Sequence, residues 1–201
     1  MMQDDRLSVA AHELLERAEQ HKFLGQHSEA LVLLEELLLE EPSNVSALEE
    51  VADNELSLDR FERARAAAKH AISLNKESFT GQYILGRIAM QAGEWKRAVE
   101  CLRAANGLQP NDPEILRCLG WTLFSSGKRL QGVVTLERAL NLDEGNPWTL
   151  CDLADVYIRV GHFSKAEGLL QRAAELAKDS DRVQFLLHQM EKAKKTQKRM
   201  A

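Results

Sequence analysis

Proline and aromatic residues are scarce in this sequence of 201 residues, which has 4 prolines and 5% aromatic residues. Proline breaks the interior of an α-helix because it lacks a backbone N–H, so its scarcity leaves long helical segments possible. Leucine and alanine, both strong helix formers, dominate the apolar 44% of the chain. That apolar fraction is adequate for a packed core, which argues against disorder. The composition therefore favours a folded, mainly helical protein.

Cysteines are few and long apolar runs are missing. The three cysteines, Cys101, Cys118 and Cys151, are an odd number at wide spacing, which argues against a disulfide framework and fits a reducing compartment. No apolar run approaches the roughly 20 residues that span a bilayer, and the acidic start 1–6 has no apolar signal segment behind it. The net charge of -5 argues against a general nucleic-acid binder. We predict a cytoplasmic protein that neither inserts directly into membranes nor binds nucleic acid.

Patterns that carry chemistry are missing as well. The six histidines include no pair at i, i+4, and there is no C-x-x-C, so we predict no metal site. The segment from Gly120 to Gly127-Lys128 differs from a phosphate-binding loop, since six residues separate the glycines and Arg129 stands where Ser or Thr is required. Cys118 and Cys151 are interpreted as small residues on helix faces rather than nucleophiles. We predict no enzyme activity, no catalytic residue, no cofactor and no small-molecule substrate.

An internal repeat of 34 residues is the main positive signal. When the sequence is shifted by 34 against itself, small residues fall into register. Two columns contain only Ala or Gly, which indicates places where two helices approach closely, and a third column indicates a turn where positive φ favours Gly. The two small-residue columns are Ala30, Ala64, Ala98, Gly132, Ala166 and Ala18, Ala52, Gly86, Gly120, Ala154; the turn column is Gly25, Asp59, Gly93, Gly127, Gly161.

Each repeat is interpreted as helix A, a short turn and helix B. Asp112-Pro113 and Asn146-Pro147 place a capping side chain before a proline suited to the first helical turn, and Pro42 and Pro110 follow the ends of B helices. Gly132 inside a helix is expected to cost about 1 kcal/mol relative to Ala and to soften its repeat. The predicted organisation is a lead-in at 1–10, five repeats at 11–44, 45–78, 79–112, 113–146 and 147–180, and a capping helix with a basic tail at 181–201. In that last helix Val183, Leu186, Leu187 and Met190 have amphipathic spacing.

These features resemble the tetratricopeptide repeat family, whose pattern is W-x2-L-G-x2-Y…A-x3-F…P. Leu85-Gly86, Ala98 and Pro110 match it in the third repeat, Leu119-Gly120 in the fourth, and Leu153, Tyr157, Gly161 and Ala166 in the fifth. No repeat has Trp at the first motif position. The resemblance covers about residues 11–180 and implies an all-α, right-handed α-solenoid of five 34-residue helix-turn-helix repeats plus a C-terminal capping helix. It also implies that one side of the A helices lines a concave groove.

Counting each repeat from its first residue, positions 2, 5, 9 and 12 of helix A lie opposite the motif residues, because successive side chains are separated by about 100°. At these positions Tyr, Trp and Arg, which dominate interface energetics, gather in the central repeats, and carboxylates gather in the first two. Position 12 is apolar in four repeats, which suggests cover by a partner or by a neighbouring helix. The predicted partner-binding groove is Tyr83, Arg87, Met90, Arg117, Trp121, Phe124, Trp148 and Ile158, with an acidic end at Glu19, Glu49 and Asp53.

The interpretation from sequence leaves alternatives open. Arg87 could pair internally with Asp53, and Trp121 could pack between helices. We predict an interaction module or scaffold that binds a peptide or helix of a partner protein in the groove. One alternative is a dedicated chaperone resembling those of type III secretion, which would keep one aggregation-prone client soluble. Another is a scaffold that self-assembles through exposed ends, where Leu15 and Phe23 lie in the first repeat.

Overall fold

The computed structural model describes residues 2–178 and 180–200, with side chains at 11–178 and 180–197. These residues form α-helices joined by short turns and contain no strand. The fold is all-α, a solenoid of helical repeats, as the sequence predicted. The helices are α1 (Met2–Phe23), α2 (His27–Glu40), α3 (Val45–Ser57), α4 (Phe61–Leu74), α5 (Phe79–Gln91), α6 (Trp95–Leu108), α7 (Pro113–Ser125), α8 (Arg129–Leu142), α9 (Pro147–Arg159), α10 (Phe163–Leu176) and α11 (Asp181–Met200).

Helix starts recur every 34 residues along the chain. Among the A helices, α3, α5, α7 and α9 begin at Val45, Phe79, Pro113 and Pro147. The B helices α2, α4, α6, α8 and α10 begin with the same spacing, from His27 to Phe163. The same position in different repeats can therefore be compared directly.

Polar side chains begin each of these four A helices. The side-chain oxygens of Asn44, Ser78, Asp112 and Asn146 accept hydrogen bonds from backbone N–H groups in the first turn of the helix that follows. Such a cap contributes about 1 kcal/mol because it satisfies a donor that has no partner inside the helix. The capping residues predicted at 112 and 146 are confirmed.

The turns between helix A and helix B have the positive φ that the turn column predicted. Gly25, Gly93, Gly127 and Gly161 have φ values of 72°, 71°, 92° and 82°. Asp59 takes the same left-handed conformation with φ 57°. This conformation is strained for most side chains, and Asp is one of the better tolerated exceptions.

The small-residue columns lie where helix A meets helix B within a repeat. All the alanines of both columns are fully buried. A Cβ added to Gly132 would lie 2.6 Å from the backbone N of Phe124 and 2.7 Å from the backbone O of Gly120. Gly132 therefore has a packing role, because it permits an approach of two backbones that alanine would prevent. That it softens its repeat stays a prediction.

The chain divides into two compact units. Unit 1, Met1–Leu108, contains α1–α6, and unit 2, Gln109–Ala201, contains α7–α11. Unit 1 has one apolar cluster around Leu34 and Leu37 and another around Ile84 and Ile88. The cluster of unit 2 extends from Phe124 to α11.

Helix α11 completes the core of unit 2. It packs against α9 and α10, and Val183, Leu186 and Met190 are 1%, 3% and 2% exposed. Its first residue, Asp181, lies 34 residues after the start of α9, so α11 takes the place of a further helix A. The predicted capping helix is present, and it keeps the period that the sequence analysis had placed as ending at residue 180.

Candidate functional site

In unit 1 the predicted groove residues of α5 contact one another. Tyr83, Arg87 and Met90 are half-buried. The guanidinium carbon of Arg87 lies 5.7 Å from the centroid of the Tyr83 ring, and its Nη1 donates a hydrogen bond of 3.4 Å to the Tyr83 hydroxyl. A guanidinium stacked on an aromatic ring is held in one orientation, so α5 presents a fixed cation–aromatic pair.

The predicted acidic residues of unit 1 differ in their surroundings. Glu49 accepts a hydrogen bond of 2.5 Å from the Ser78 hydroxyl. Asp53 lies 3.2 Å from Lys22 Nζ, which is also 2.7 Å from a carboxylate oxygen of Glu50. Glu19 is exposed. Among these three residues Glu19 alone has an exposed side chain, and the other two stabilise the unit.

Lys22 holds two helices of unit 1 together. Burial alone would lower the pKa of its ammonium group, but the hydrogen bond to Glu50 and the charges of Asp53 and Glu50 raise the pKa above its ordinary value. Lys22 on α1 is therefore charged at neutral pH and bridges two carboxylates of α3.

In unit 2, Arg117 is bound by carboxylates of its own chain. Its guanidinium donates to both carboxylate oxygens of Glu114, at 2.7 and 2.5 Å, and to Asp152 Oδ2 at 2.5 Å. The Arg117 side chain is 17% exposed. The prediction that Arg117 contacts a partner is corrected, because its hydrogen-bonding fork is already occupied inside the unit.

Asp152 is the centre of this network. Its side chain is 5% exposed and also accepts a hydrogen bond from Arg182 on α11. Burial raises the pKa of the Asp152 carboxyl, while the guanidinium groups of Arg117 and Arg182 oppose that rise. The three residues join α7, α9 and α11 through one buried carboxylate. Sequence analysis missed Asp152 and Arg182. The available signal was the separation of Arg117 and Asp152, two opposite charges about one repeat length apart.

Trp121 of α7 packs against the core of unit 2 and is half-buried. The guanidinium carbon of Arg159, on α9, lies 5.4 Å from the centroid of the Trp121 ring. Arg159 also donates to both carboxylate oxygens of Asp155, at 2.8 and 3.2 Å. Trp121 therefore packs in part between helices, which was the alternative to a contact with a partner. Arg159 was missed because it lies at position 13, outside the four positions compared.

Trp148 is the most exposed aromatic residue of the predicted groove. It lies in the first turn of α9 and is 60% exposed. Its indole lies largely in water at the start of a capped helix, so most of its surface is accessible to another molecule. On α11, Phe185 is similarly exposed at 59%; it was missed because the groove positions were compared only within the five repeats.

The apolar row at position 12 belongs mostly to the interior. Leu56, Phe124 and Ile158 are 6%, 8% and 7% exposed, and Met90 is half-buried. Phe124 packs in a cluster with residues of α8 and α9, and Ile158 in the same cluster with residues of α10 and α11. The prediction that Phe124 lines a partner-binding groove is corrected, because neighbouring helices cover it. Ile158 is largely buried but still lines an open cleft with Arg159 and Phe185, so its role in binding stays a prediction.

The described part of the chain has neither a candidate metal site nor a candidate membrane span. No group of three or more His, Cys, Asp or Glu side chains there could hold a metal ion. No helix among the described residues is long and apolar enough to cross a membrane.

Two segments of the chain match family models, both described as tetratricopeptide repeat: residues 52–113 and residues 123–190. Together the two segments cover more than half of the chain. The chain belongs to the tetratricopeptide repeat family. Its fold is that of protein–protein interaction scaffolds.

Among curated proteins, tetratricopeptide-containing anaphase-promoting complex subunit 3 of Schizosaccharomyces pombe (strain 972 / ATCC 24843) is similar, with 23% identity over 192 residues. The alignment covers 90% of this chain and 29% of that protein, so the chain spans less than a third of its relative. The alignment therefore does not show that this chain has the activity of the complete subunit.

Solved structures share the fold over most of the chain. Pseudomonas aeruginosa PilF superposes with a TM-score of 0.77 at 17% identity, covering 96% of this chain and 87% of PilF. A thermophilic tetratricopeptide protein of Thermus thermophilus gives 0.74 at 22% identity, covering 91% and 98%. YrrB, described as having an unusual peptide-binding site, gives 0.61 at 18% identity, covering 86% and 89%. Identities this low show a common fold alone.

Proposed function

We propose that this tetratricopeptide repeat protein is a non-enzymatic interaction module that binds a peptide segment of a partner protein on the A helices of unit 2. The observation that carries the proposal is Trp148, an aromatic residue 60% exposed in the first turn of α9. Tryptophan contributes more binding energy at interfaces than most residues because it buries a large area with little loss of side-chain entropy.

The other end of α9, about 16 Å along the helix from Trp148, suits the polar rim of an interface. Arg159 is 57% exposed and is held in place by the Asp155 carboxylate and the Trp121 ring. A guanidinium fixed in this way still has donors for a partner's carbonyl or carboxylate groups and loses little entropy on binding. An exposed aromatic anchor with an oriented cation on the same helix is a typical composition for an interface.

The YrrB description supports a peptide as the ligand class, since that protein has the same fold and a peptide-binding site. One short segment held on one surface corresponds to an affinity in the μM range, about -8 kcal/mol. Tyr83 and Arg87 of α5 offer a second cation–aromatic pair on unit 1. We propose that pair as an additional contact for the same class of ligand.

The test compares two truncations of exposed apolar side chains in unit 2. Trp148→Ala removes the proposed anchor, and Leu130→Ala removes a residue that is 78% exposed on α8, a B helix. Partners are captured from a lysate of the source organism, identified by mass spectrometry, and titrated against purified protein. We expect Leu130→Ala to bind like the wild type and Trp148→Ala to weaken binding by about tenfold to a hundredfold, as for an interface anchor.

Equal affinities for the wild type and Trp148→Ala, with unchanged helicity, would remove the proposed surface. The chaperone alternative makes a different prediction, because a chaperone would keep one client protein soluble when the two are produced together.

A further inference from the structure

The two terminal helices of the chain carry exposed surfaces of opposite charge. In unit 1 a cleft is lined by Glu16, Glu19, Lys22, Phe23, Leu24 and Glu50. Phe23 and Leu24 are 91% and 68% exposed, at the end of α1. An adjacent Phe and Leu in water are not explained by packing within unit 1, so the surface has the composition of an unfilled contact site.

This cleft is acidic. Helix α3, which contributes Glu50, contains four carboxylates and no Lys or Arg. Lys22 is bound to Glu50 and Asp53, so its charge is already balanced within the unit. The exposed Glu16 and Glu19 leave the cleft with net negative charge beside its apolar pair.

Helix α11 has the complementary composition. It contains six Lys and Arg residues against two carboxylates. Phe185 is 59% exposed, and Gln189 and Lys192 follow it on the same face because residues four and seven apart on a helix lie nearly in line. Lys192 and Lys195 are exposed. The buried face of α11, with Val183 and Met190, is occupied by the core, so the aromatic and basic face is the one that remains for another molecule.

We infer that the chain associates head to tail, with the Phe185–Lys192 face of α11 in one copy docked into the Glu16–Phe23 cleft of a second copy. The apolar pair would receive Phe185, and Glu16 and Glu19 would face Lys192 and Lys195. The two surfaces differ, so the contact is heterologous and leaves one copy of a pair with an unused cleft and the other with an unused α11 face. Further copies can add to these two surfaces, in an open or a closed assembly, and the association depends on salt because screening weakens pairs of exposed charges.

The test is the molecular mass of the purified full-length chain, by light scattering and sedimentation, between about 1 μM and 1 mM at low salt. One variant reverses the acidic surface, Glu16→Lys/Glu19→Lys, and another the basic surface, Lys192→Glu/Lys195→Glu. A control, Lys69→Glu/Arg103→Glu, makes the same change in net charge as the Lys192→Glu/Lys195→Glu variant, at exposed residues of α4 and α6. We expect the wild type and the control to associate, and each of the first two variants to associate about tenfold or more weakly.

Mixing the two weakened variants is the decisive arm. The first keeps its basic α11 and the second keeps its acidic cleft, so the mixture retains one wild-type contact and should form a complex that neither variant forms alone. A wild type that stays monomeric over the whole range, equal association of all variants, or no complex on mixing would each overturn the inference. The measurement uses no partner protein, so its failure is separate from failure of the proposed function.

Discussion

The two units join their A helices through charged side chains that differ in sign and in burial. In unit 1 a lysine bridges two carboxylates at half-buried positions, with Lys22, Glu50 and Asp53 side chains 29%, 21% and 29% exposed. In unit 2 a carboxylate bridges two arginines, and Asp152 at the centre is 5% exposed. The central charge is positive and half-buried in unit 1, and negative and buried in unit 2. Because water screens exposed charges more than buried ones, the comparison teaches that burial sets how much the removal of each central charge should cost.

The largest expected effect comes from removing the central charge of unit 2. Asp152→Ala leaves Arg117 and Arg182 without their shared carboxylate, and breaking a buried pair typically costs about 3–5 kcal/mol. Urea denaturation of unit 2, followed by helicity, measures the free energy of unfolding. Replacing all three residues by apolar ones of similar volume should recover much of the loss. A cost below about 1 kcal/mol for Asp152→Ala would show that water reaches the network.

The second prediction concerns the closest approach of backbones. Gly132→Ala should destabilise unit 2 by about 1–3 kcal/mol, since the new methyl meets backbone atoms that cannot move alone. Gly168→Ala is the matched control in helix α10, where an added Cβ has nothing within 4 Å. That control should stabilise by about 0.5–1 kcal/mol, the helix-propensity difference. Equal effects of the two substitutions would contradict the packing argument.

The same comparison extends to unit 1 through Gly86. Its added Cβ would lie 2.7 Å from Leu102 Cγ, and the nearest backbone atom is 3.4 Å away. Because a side chain can shift more easily than a backbone, Gly86→Ala should cost less than Gly132→Ala, about 1 kcal/mol. Thermal unfolding monitored by circular dichroism compares the stabilities of the two variants.

A smaller effect is expected when the bridging charge of unit 1 is removed. Lys22→Met keeps the length of the aliphatic chain but leaves Glu50 and Asp53 without a cation. Because these groups are partly exposed, the loss in the free energy of unfolding should be about 0–1 kcal/mol and should shrink at high salt. Denaturation at low and at high ionic strength checks both statements. If Lys22→Met lowered the free energy of unfolding as much as Asp152→Ala, burial would not explain the difference between the two units.

The last prediction concerns how fast a thiol reagent modifies the cysteines, because the cysteines of the two units differ in exposure. Cys101 of unit 1 is half-buried, whereas Cys118 and Cys151 of unit 2 are 1% and 2% exposed. Burial raises the pKa of the Cys101 and Cys151 thiols, so less of the reactive thiolate is present at neutral pH. A thiol reagent should label Cys101 first, and faster as the pH rises. Cys118 and Cys151 should react only when unit 2 unfolds locally. Mass spectrometry of the digested protein measures the labelling of each of the three cysteines.

The fold was predictable because close helix approach limits side-chain size. The repeat position that includes Ala30 and Ala166 and the one that includes Gly25 and Gly161 tolerate few residue types. The structure shows burial at the first position and a positive φ at the second, and these impose the limit. The period alone therefore located the helices and their turns.

The candidate site was less predictable because its contacts join different repeats. Periodicity within one helix places Phe124 away from the core of its own repeat, yet it is 8% exposed and belongs to a cluster with residues of α8 and α9. Arg117 has the composition of an interface residue, but two carboxylates of the chain bind it. Trp148 was predicted from its residue type at position 2 of its repeat, and the structure leaves it 60% exposed. Predicting the rest would require the pairing of side chains about one repeat length apart, which composition does not encode.

The start of α11 one full repeat after α9 has a consequence for how such a chain can change in length. If one repeat of 34 residues were duplicated and inserted before Asp181, α11 would still begin where a helix A begins. The inserted segment would bring its own turn and its own cap, and α11 would close the lengthened array as it closes this one. We therefore expect growth by whole repeats to preserve these contacts, and an insertion of any other length to move Val183, Leu186 and Met190 away from the core that they complete.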